Sequence, residues 1–206
     1  MFVDRAEAGE RLAPLLAHLR DRDPVVLGIP RGGVPVAAAV ARALDAPLDI
    51  VVVRKLGAPA HPEFGVGAVG EDGVWVLDES VVRSLGVTGI EAVESRERAE
   101  VIRRAALYRR GGRRLDLTGR TVIVIDDGVA TGSTATAACR VTRALGAGHV
   151  VLATPVAPRG WSATLHGEAD ELVAVETHSP FHAVALWYTD FRQTGDDEVI
   201  AALTGR

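Results

Sequence analysis

Five short runs of apolar, mostly β-branched residues constrain this chain more than any other feature. They lie at 25–29, 48–53, 121–125, 149–153 and 172–175. They are apolar at nearly every position rather than at every second one, so they lack the alternation of a strand with one wet face. Helical patterns follow two of them, at 34–44 after a glycine turn and at about 133–145. Parallel strands need crossover connections, and strands covered on both faces need helices on both sides. The expected fold is therefore α/β: a doubly wound, mainly parallel sheet of about five strands, in a single domain over 1–206.

The stretch 57–112 departs from this rhythm. It opens rich in proline, glycine and histidine, continues through two β-like pieces at 63–69 and 74–77, and ends in a long charged helical segment. It is expected to be an inserted, flexible loop and helical region. Gly65, Gly67 and Gly70 match the spacing GxGxxG, but Glu71-Asp72-Gly73 then turns into a β-like piece, whereas a dinucleotide fingerprint opens a helix. The arginines at 96, 98, 103, 104, 109, 110, 113 and 114 are interleaved with Glu91, Glu94, Glu97 and Glu100, the pattern of a solvated helix face paired at helical spacing. His61, His178 and His182 do not have metal-helix spacing.

Composition narrows the class of partner. With 23 basic and 27 acidic side chains the formal net charge is −4, so nucleic acid is not an expected partner. No stretch approaches the roughly 20 apolar residues of a membrane span, and the acidic opening Asp4, Glu7 does not read as a secretory signal. A single cysteine, Cys139, can close no internal disulfide and no thiolate zinc site, which fits a reducing cytoplasm.

The chemistry concentrates in 122–134. A buried strand ends in Asp126 and Asp127, and Gly128, Ala130, Thr131, Gly132, Ser133 and Thr134 turn into a helix. Free N–H groups at a helix start, with small hydroxyl residues beside them, cradle a phosphate. Two adjacent carboxylates repel a second phosphate but accept hydrogen bonds from sugar hydroxyls. The combination asks for a ribose 5-phosphate group, although each half alone also reads as a turn and a helix cap.

This segment resembles the phosphoribosyl pyrophosphate signature of type I phosphoribosyltransferases: apolar residues, two acids, then a loop ending Thr-Gly-x-Thr. The turn Gly28-Ile29-Pro30-Arg31-Gly32-Gly33 resembles the family's pyrophosphate loop, and Arg54 and Lys55 stand where the family often places basic residues facing the leaving group. More narrowly, Arg54-Lys55-Leu56-Gly57, His61-Pro62-Glu63-Phe64, Ala106-Leu107-Tyr108-Arg109 and Trp187-Tyr188-Thr189-Asp190-Phe191 are similar to a bacterial group of the family whose acceptor is unassigned. The resemblance implies a hood formed by the N-terminal segment and about 176–206. It also implies a mobile loop over the site within 57–112, to which Arg96 or Arg98 would contribute.

The activity implied is magnesium-dependent transfer of the 5-phosphoribosyl group of phosphoribosyl pyrophosphate to a nitrogen acceptor of nucleobase type, with release of pyrophosphate. Arg31, Lys55, Asp126 and Asp127 would be catalytic. Arg31, Gly32, Arg54, Lys55 and the run Asp126, Asp127, Gly128, Ala130, Thr131, Gly132, Ser133 and Thr134 would bind the diphosphate substrate. Magnesium would be held mainly by that substrate, with no dedicated protein ligands. Ala130 stands where the 6-oxopurine enzymes carry an aspartate, which argues against hypoxanthine and guanine. Phe181, Trp187, Tyr188 and Phe191 would stack an acceptor base or pack the hood. A homodimer is the expected assembly. The alternative is a non-catalytic regulator on the same fold that senses a nucleotide or phosphoribosyl pyrophosphate and binds RNA.

Overall fold

The computed structural model describes residues 1–59, 61–86 and 88–205, with the side chains of Pro62, Glu63, Phe64 and Leu85 outside the description. The His61–Phe64 resemblance therefore lies largely outside the described side chains. The chain runs through α1 (Arg5–Leu12), a 3₁₀ stretch (Ala13–Arg22), β1 (Val25–Gly28), α2 (Gly33–Leu44), β2 (Leu48–Ile50) and β3 (Arg54–Ala58). It continues through β4 (His61–Val69), β5 (Trp75–Leu77), α3 (Glu79–Leu85), α4 (Ile90–Arg109), β6 (Thr121–Ile125) and α5 (Ser133–Ala144). It ends with β7 (His149–Pro158), α6 (Trp161–Thr164), β8 (Glu171–His178) and α7 (Asp196–Thr204).

Five strands form a parallel sheet in the order β2-β1-β6-β7-β8. The apolar runs fill both faces by simple alternation. Val122 and Val124 of β6 pack with Val141 and Ala138 of α5, while Ile123 and Ile125 pack with Leu16 and with Val36 and Val40 of α2. From β1 the chain passes outward to β2, and from β6 it passes outward to β7 in the other direction. The strand order thus reverses between β1 and β6, and in open α/β sheets the crevice at the carboxyl ends of such a pair binds ligand. Gly28 is in register with Ile125 there, and Ile29 N–H donates to the Ile125 carbonyl at 2.8 Å.

The second strand is shorter than its apolar run. It stops at Ile50, and Val51 N–H makes a last bond to the Gly28 carbonyl at 3.1 Å. Beyond it, Arg54 pairs with Val69, so β3, β4 and β5 form a separate three-stranded antiparallel sheet that begins before residue 57. The charged segment that follows is α4, of 20 residues.

Most of its arginines pair as the interleaving implies: Arg98 with Glu94, and Arg103 and Arg104 with Glu100. Arg109 does not lie on the solvated face. Its side chain is 8% exposed, donates Nε to Asp49 Oδ1 and Nη2 to the Ile50 carbonyl at 2.8 and 2.9 Å, and pairs with Glu71. Helical periodicity could not reveal this, because both partners come from other elements. Glu71 also accepts from Val52 N–H at 3.3 Å, so this ionic knot ties α4 and the small sheet to the edge of the main one.

Two segments from opposite ends of the sequence join above the sheet. Phe2 N–H donates to the Trp187 carbonyl at 2.7 Å, Thr189 N–H to the Phe2 carbonyl at 2.8 Å, and Asp190 N–H to the Val3 carbonyl at 2.8 Å. Phe2, Ala8, Val156 and Tyr188 form their shared core, flanked by Phe181, Val184, Trp187 and Phe191.

Candidate functional site

The loops that leave β1 and β6 face each other across the strand-order reversal. After β6 come Asp126 and Asp127. The Asp127 N–H donates to Asp126 Oδ1 at 3.0 Å, which folds the first carboxyl back over the start of the turn. Gly132 closes the turn with φ +81°, a left-handed conformation that favours glycine, and α5 starts at Ser133. Asp126 and residues 128–135 line a cavity of about 140 Å³. Thr131 Oγ1 and Ser133 Oγ lie 3.1 Å apart at its mouth. The start of a 12-residue helix thus faces a space walled by small and hydroxyl residues, with a carboxyl at its far side.

After β1 the Pro30–Arg31 peptide is cis, and the loop presses against the acidic pair. A Cβ on Gly32 would overlap Asp127 Oδ2, so only glycine fits this approach. Lys55, at the start of β3, donates Nζ to Ser133 Oγ at 3.1 Å. The candidate residues Lys55, Thr131, Ser133 and Asp126 are therefore brought together, and Gly32 is brought to Asp127. The remaining basic candidates are turned to partners elsewhere. Arg31 Nη1 lies 3.6 Å from Asp196 of α7, and Arg54 donates Nε to Glu97 of α4 at 2.8 Å. Of the two loop arginines, Arg96 donates to Glu97 at 3.1 Å and lines a cavity of about 240 Å³ with Arg54, Lys55 and Gly57.

The two carboxyls differ in their partners. Burial, reinforced by the neighbouring Asp127, pushes Asp126 up to about 8, so near neutrality it holds a proton. Burial also raises Asp127, but a 2.8 Å bond from Arg5 Nε opposes that push and favours its ionised form. A protonated carboxyl can donate as well as accept and a carboxylate accepts, so either state of the pair can meet the hydroxyls of a vicinal diol, which both give and accept hydrogen bonds.

Sequence reasoning missed Arg5, and of the two roles open to Tyr188 the structure gives it the packing of the hood. Tyr188 is 6% exposed, packs its ring against Phe2 and Phe191 at centroid distances of 5.3 and 5.0 Å, and donates its hydroxyl to the Asp127 carbonyl at 2.6 Å. Trp187 stacks on His178 at 3.4 Å. These aromatics build the hood and brace the acidic turn. Among the described residues no group of three or more histidine, cysteine, aspartate or glutamate side chains could cage a metal, and no helix is long and apolar enough to cross a membrane.

The sequence model of the phosphoribosyl transferase domain matches residues 6–170, a span that contains both loops and the acidic turn. The chain belongs to the type I phosphoribosyltransferase family. Within this family it is similar to proteins from two strains of Mycobacterium tuberculosis that carry the provisional name of a phosphoribosyl transferase. Identity is 53% over 205 residues, covering 98% of this chain and 46% of each relative. The chain thus spans about half the length of those relatives. The TT1426 protein of Thermus thermophilus, known from its crystal structure, superposes with a TM-score of 0.91 at 43% identity, covering 100% of this chain and 98% of that one.

Proposed function

We propose that this chain transfers the 5-phosphoribosyl group of phosphoribosyl pyrophosphate to a nitrogen acceptor of nucleobase type. The observation that carries the reading is the placement of Asp126 and Asp127 beside the Thr131–Ser133 cradle, at the strand-order reversal between β1 and β6. The first turn of α5 and its hydroxyls would hold the 5-phosphate, and the acidic pair the 2- and 3-hydroxyls of the ribose. The bond from C1 to the diphosphate oxygen breaks, a bond from C1 to the acceptor nitrogen forms, and the nitrogen's proton passes to solvent. As positive charge develops on the sugar, the Arg5-paired Asp127 carboxylate would stabilise it, while Lys55 at the cradle would face the leaving group and Arg31 would join it on release from Asp196.

We place a hard divalent cation at this site as a passenger of the substrate. The chain offers no cage of its own among the described residues, and magnesium is commonly bound through one or two carboxylates and substrate phosphates. Carried by the diphosphate, magnesium would neutralise charge on the leaving group. The chain's one cysteine is buried, as suits a reducing compartment, and we place the reaction in the cytoplasm. At α4 Arg98, Arg103 and Arg104 pair within the helix, which supports the solvated-face reading of those three over a contact surface for a regulator.

The test is pyrophosphate release from phosphoribosyl pyrophosphate with magnesium, scanned across purines, pyrimidines and nicotinate-like acids, with the Asp126→Asn/Asp127→Asn double variant as control. Acceptor-dependent release that the variant loses is the expected result. Binding of phosphoribosyl pyrophosphate with no release for any acceptor would overturn the transferase reading in favour of a sensor.

A further inference from the structure

One hood side chain reaches the acidic pair directly. Arg5, the first residue of α1, donates Nε to Asp127 Oδ2 at 2.8 Å and Nη1 to the Arg192 carbonyl at 2.8 Å. Its guanidinium carbon stands 4.0 Å from the centroid of the Phe191 ring. The ion pair is largely withdrawn from water, with side-chain exposures of 11% for Arg5 and 15% for Asp127. A planar guanidinium can satisfy two acceptors and a ring face at once, and a lysine ammonium cannot reproduce that geometry.

The setting makes this contact more than a surface tie. Burial at the end of the strand opposes a charge on Asp127, so without a cation beside it that carboxyl would take up a proton or swing away. Swinging is blocked on one side, because Gly32 approaches Asp127 Oδ2 so closely that it leaves no room even for a methyl group. On the main-chain side, the Tyr188 hydroxyl holds the Asp127 carbonyl.

We propose that Arg5 is a positioning residue for sugar-phosphate recognition: acting through Asp127, it pairs with that carboxyl and seats it against the Gly32 loop, with Oδ1 left to accept from a ribose hydroxyl. This rests on the reading of the site given above. It makes the hood part of the sugar-phosphate site through a residue 122 positions away in sequence from its partner.

A double-mutant cycle tests it, with calorimetric titration of phosphoribosyl pyrophosphate and magnesium into the full chain. Arg5→Ala is expected to weaken binding about tenfold and Asp127→Asn about 10- to 100-fold, while adding Arg5→Ala to Asp127→Asn costs less than about twofold more. Arg5→Lys should fall between the unaltered chain and Arg5→Ala. It also keeps the cycle readable if the alanine variant does not fold. Thermal unfolding of each variant registers the loss of the Phe191 and Arg192 contacts, which is the same in both backgrounds. Equal losses of affinity in both backgrounds, or no loss with Arg5→Ala, would overturn the role of Arg5 while leaving the reading of the site intact. No binding by the unaltered chain would overturn the reading and this inference together.

Discussion

Replacing Asp126 by asparagine should stabilise the free protein, and increasingly so as pH rises. Folding moves this carboxyl from an ordinary value of 3.8 to about 8, through burial first and the neighbouring Asp127 second. Between roughly pH 4 and 8 the folded chain therefore holds a proton that the unfolded chain has released, and stability falls as pH climbs through that window. The ideal slope is about 1.4 kcal/mol per pH unit, or roughly 3 kcal/mol between pH 5 and 7. Water reaching the carboxyl through the adjoining cavity screens part of that, which leaves about 1–2 kcal/mol. Asparagine is neutral throughout and its side-chain carbonyl can still accept from the Asp127 N–H, so it escapes the penalty. For a chain of this length the gain corresponds to about 3–6 °C in Tm. Thermal unfolding of both chains at pH 5, 6 and 7 is the assay, and the readout is the difference between the two curves, in which titrations common to both cancel. Parallel curves would refute the claim that this carboxyl is buried as an acid.

Three further outcomes follow from particular contacts. Gly32→Ala should weaken phosphoribosyl pyrophosphate binding at least about tenfold by calorimetry, because the added methyl displaces the Asp127 carboxylate that it would overlap. Arg109→Ala should lower unfolding stability by about 3–5 kcal/mol in denaturant titration, since it strands Asp49 and Glu71, which are 4% and 8% exposed. Cys139, fully buried on α5 with its thiol pushed up to about 12 by burial, should resist a thiol reagent at pH 8 until the chain unfolds, as a colorimetric assay would show.

The main sheet was legible because its strands are apolar on both faces, which few other structures tolerate. The small sheet was harder to read. Its first strand, Arg54–Ala58, mixes charge, a glycine and apolar residues, and its pairing with β4 shifts register at Gly57. The turn from Asp126 to Gly132 and the helix start after it were legible because they are contiguous. Arg5 and Tyr188 were not, since they stand 122 and 61 positions from Asp127 and meet it only once the hood has formed. Arg109 sat in the arginine-rich run with nothing local to mark it as buried, because Asp49 and Glu71 come from outside that run. The basic side chains of the two loops show the opposite failing: Arg31 and Arg54 were easy to nominate by position, but what they face depends on Asp196 and Glu97.

The pairing of Phe2 and Val3 with 187–190 has a consequence for how the molecule is made. A ribosome delivers Phe2 and Val3 long before 187–190, and the loop that must close between them contains the whole five-stranded sheet. The five-stranded sheet can assemble while synthesis continues, since β8 is complete by His178. Arg5, by contrast, has no Phe191 or Arg192 to rest on until those residues emerge. A nascent chain thus carries the 126–134 turn with an unbraced Asp127, and the Arg5 contacts form only once Phe191 and Arg192 have emerged.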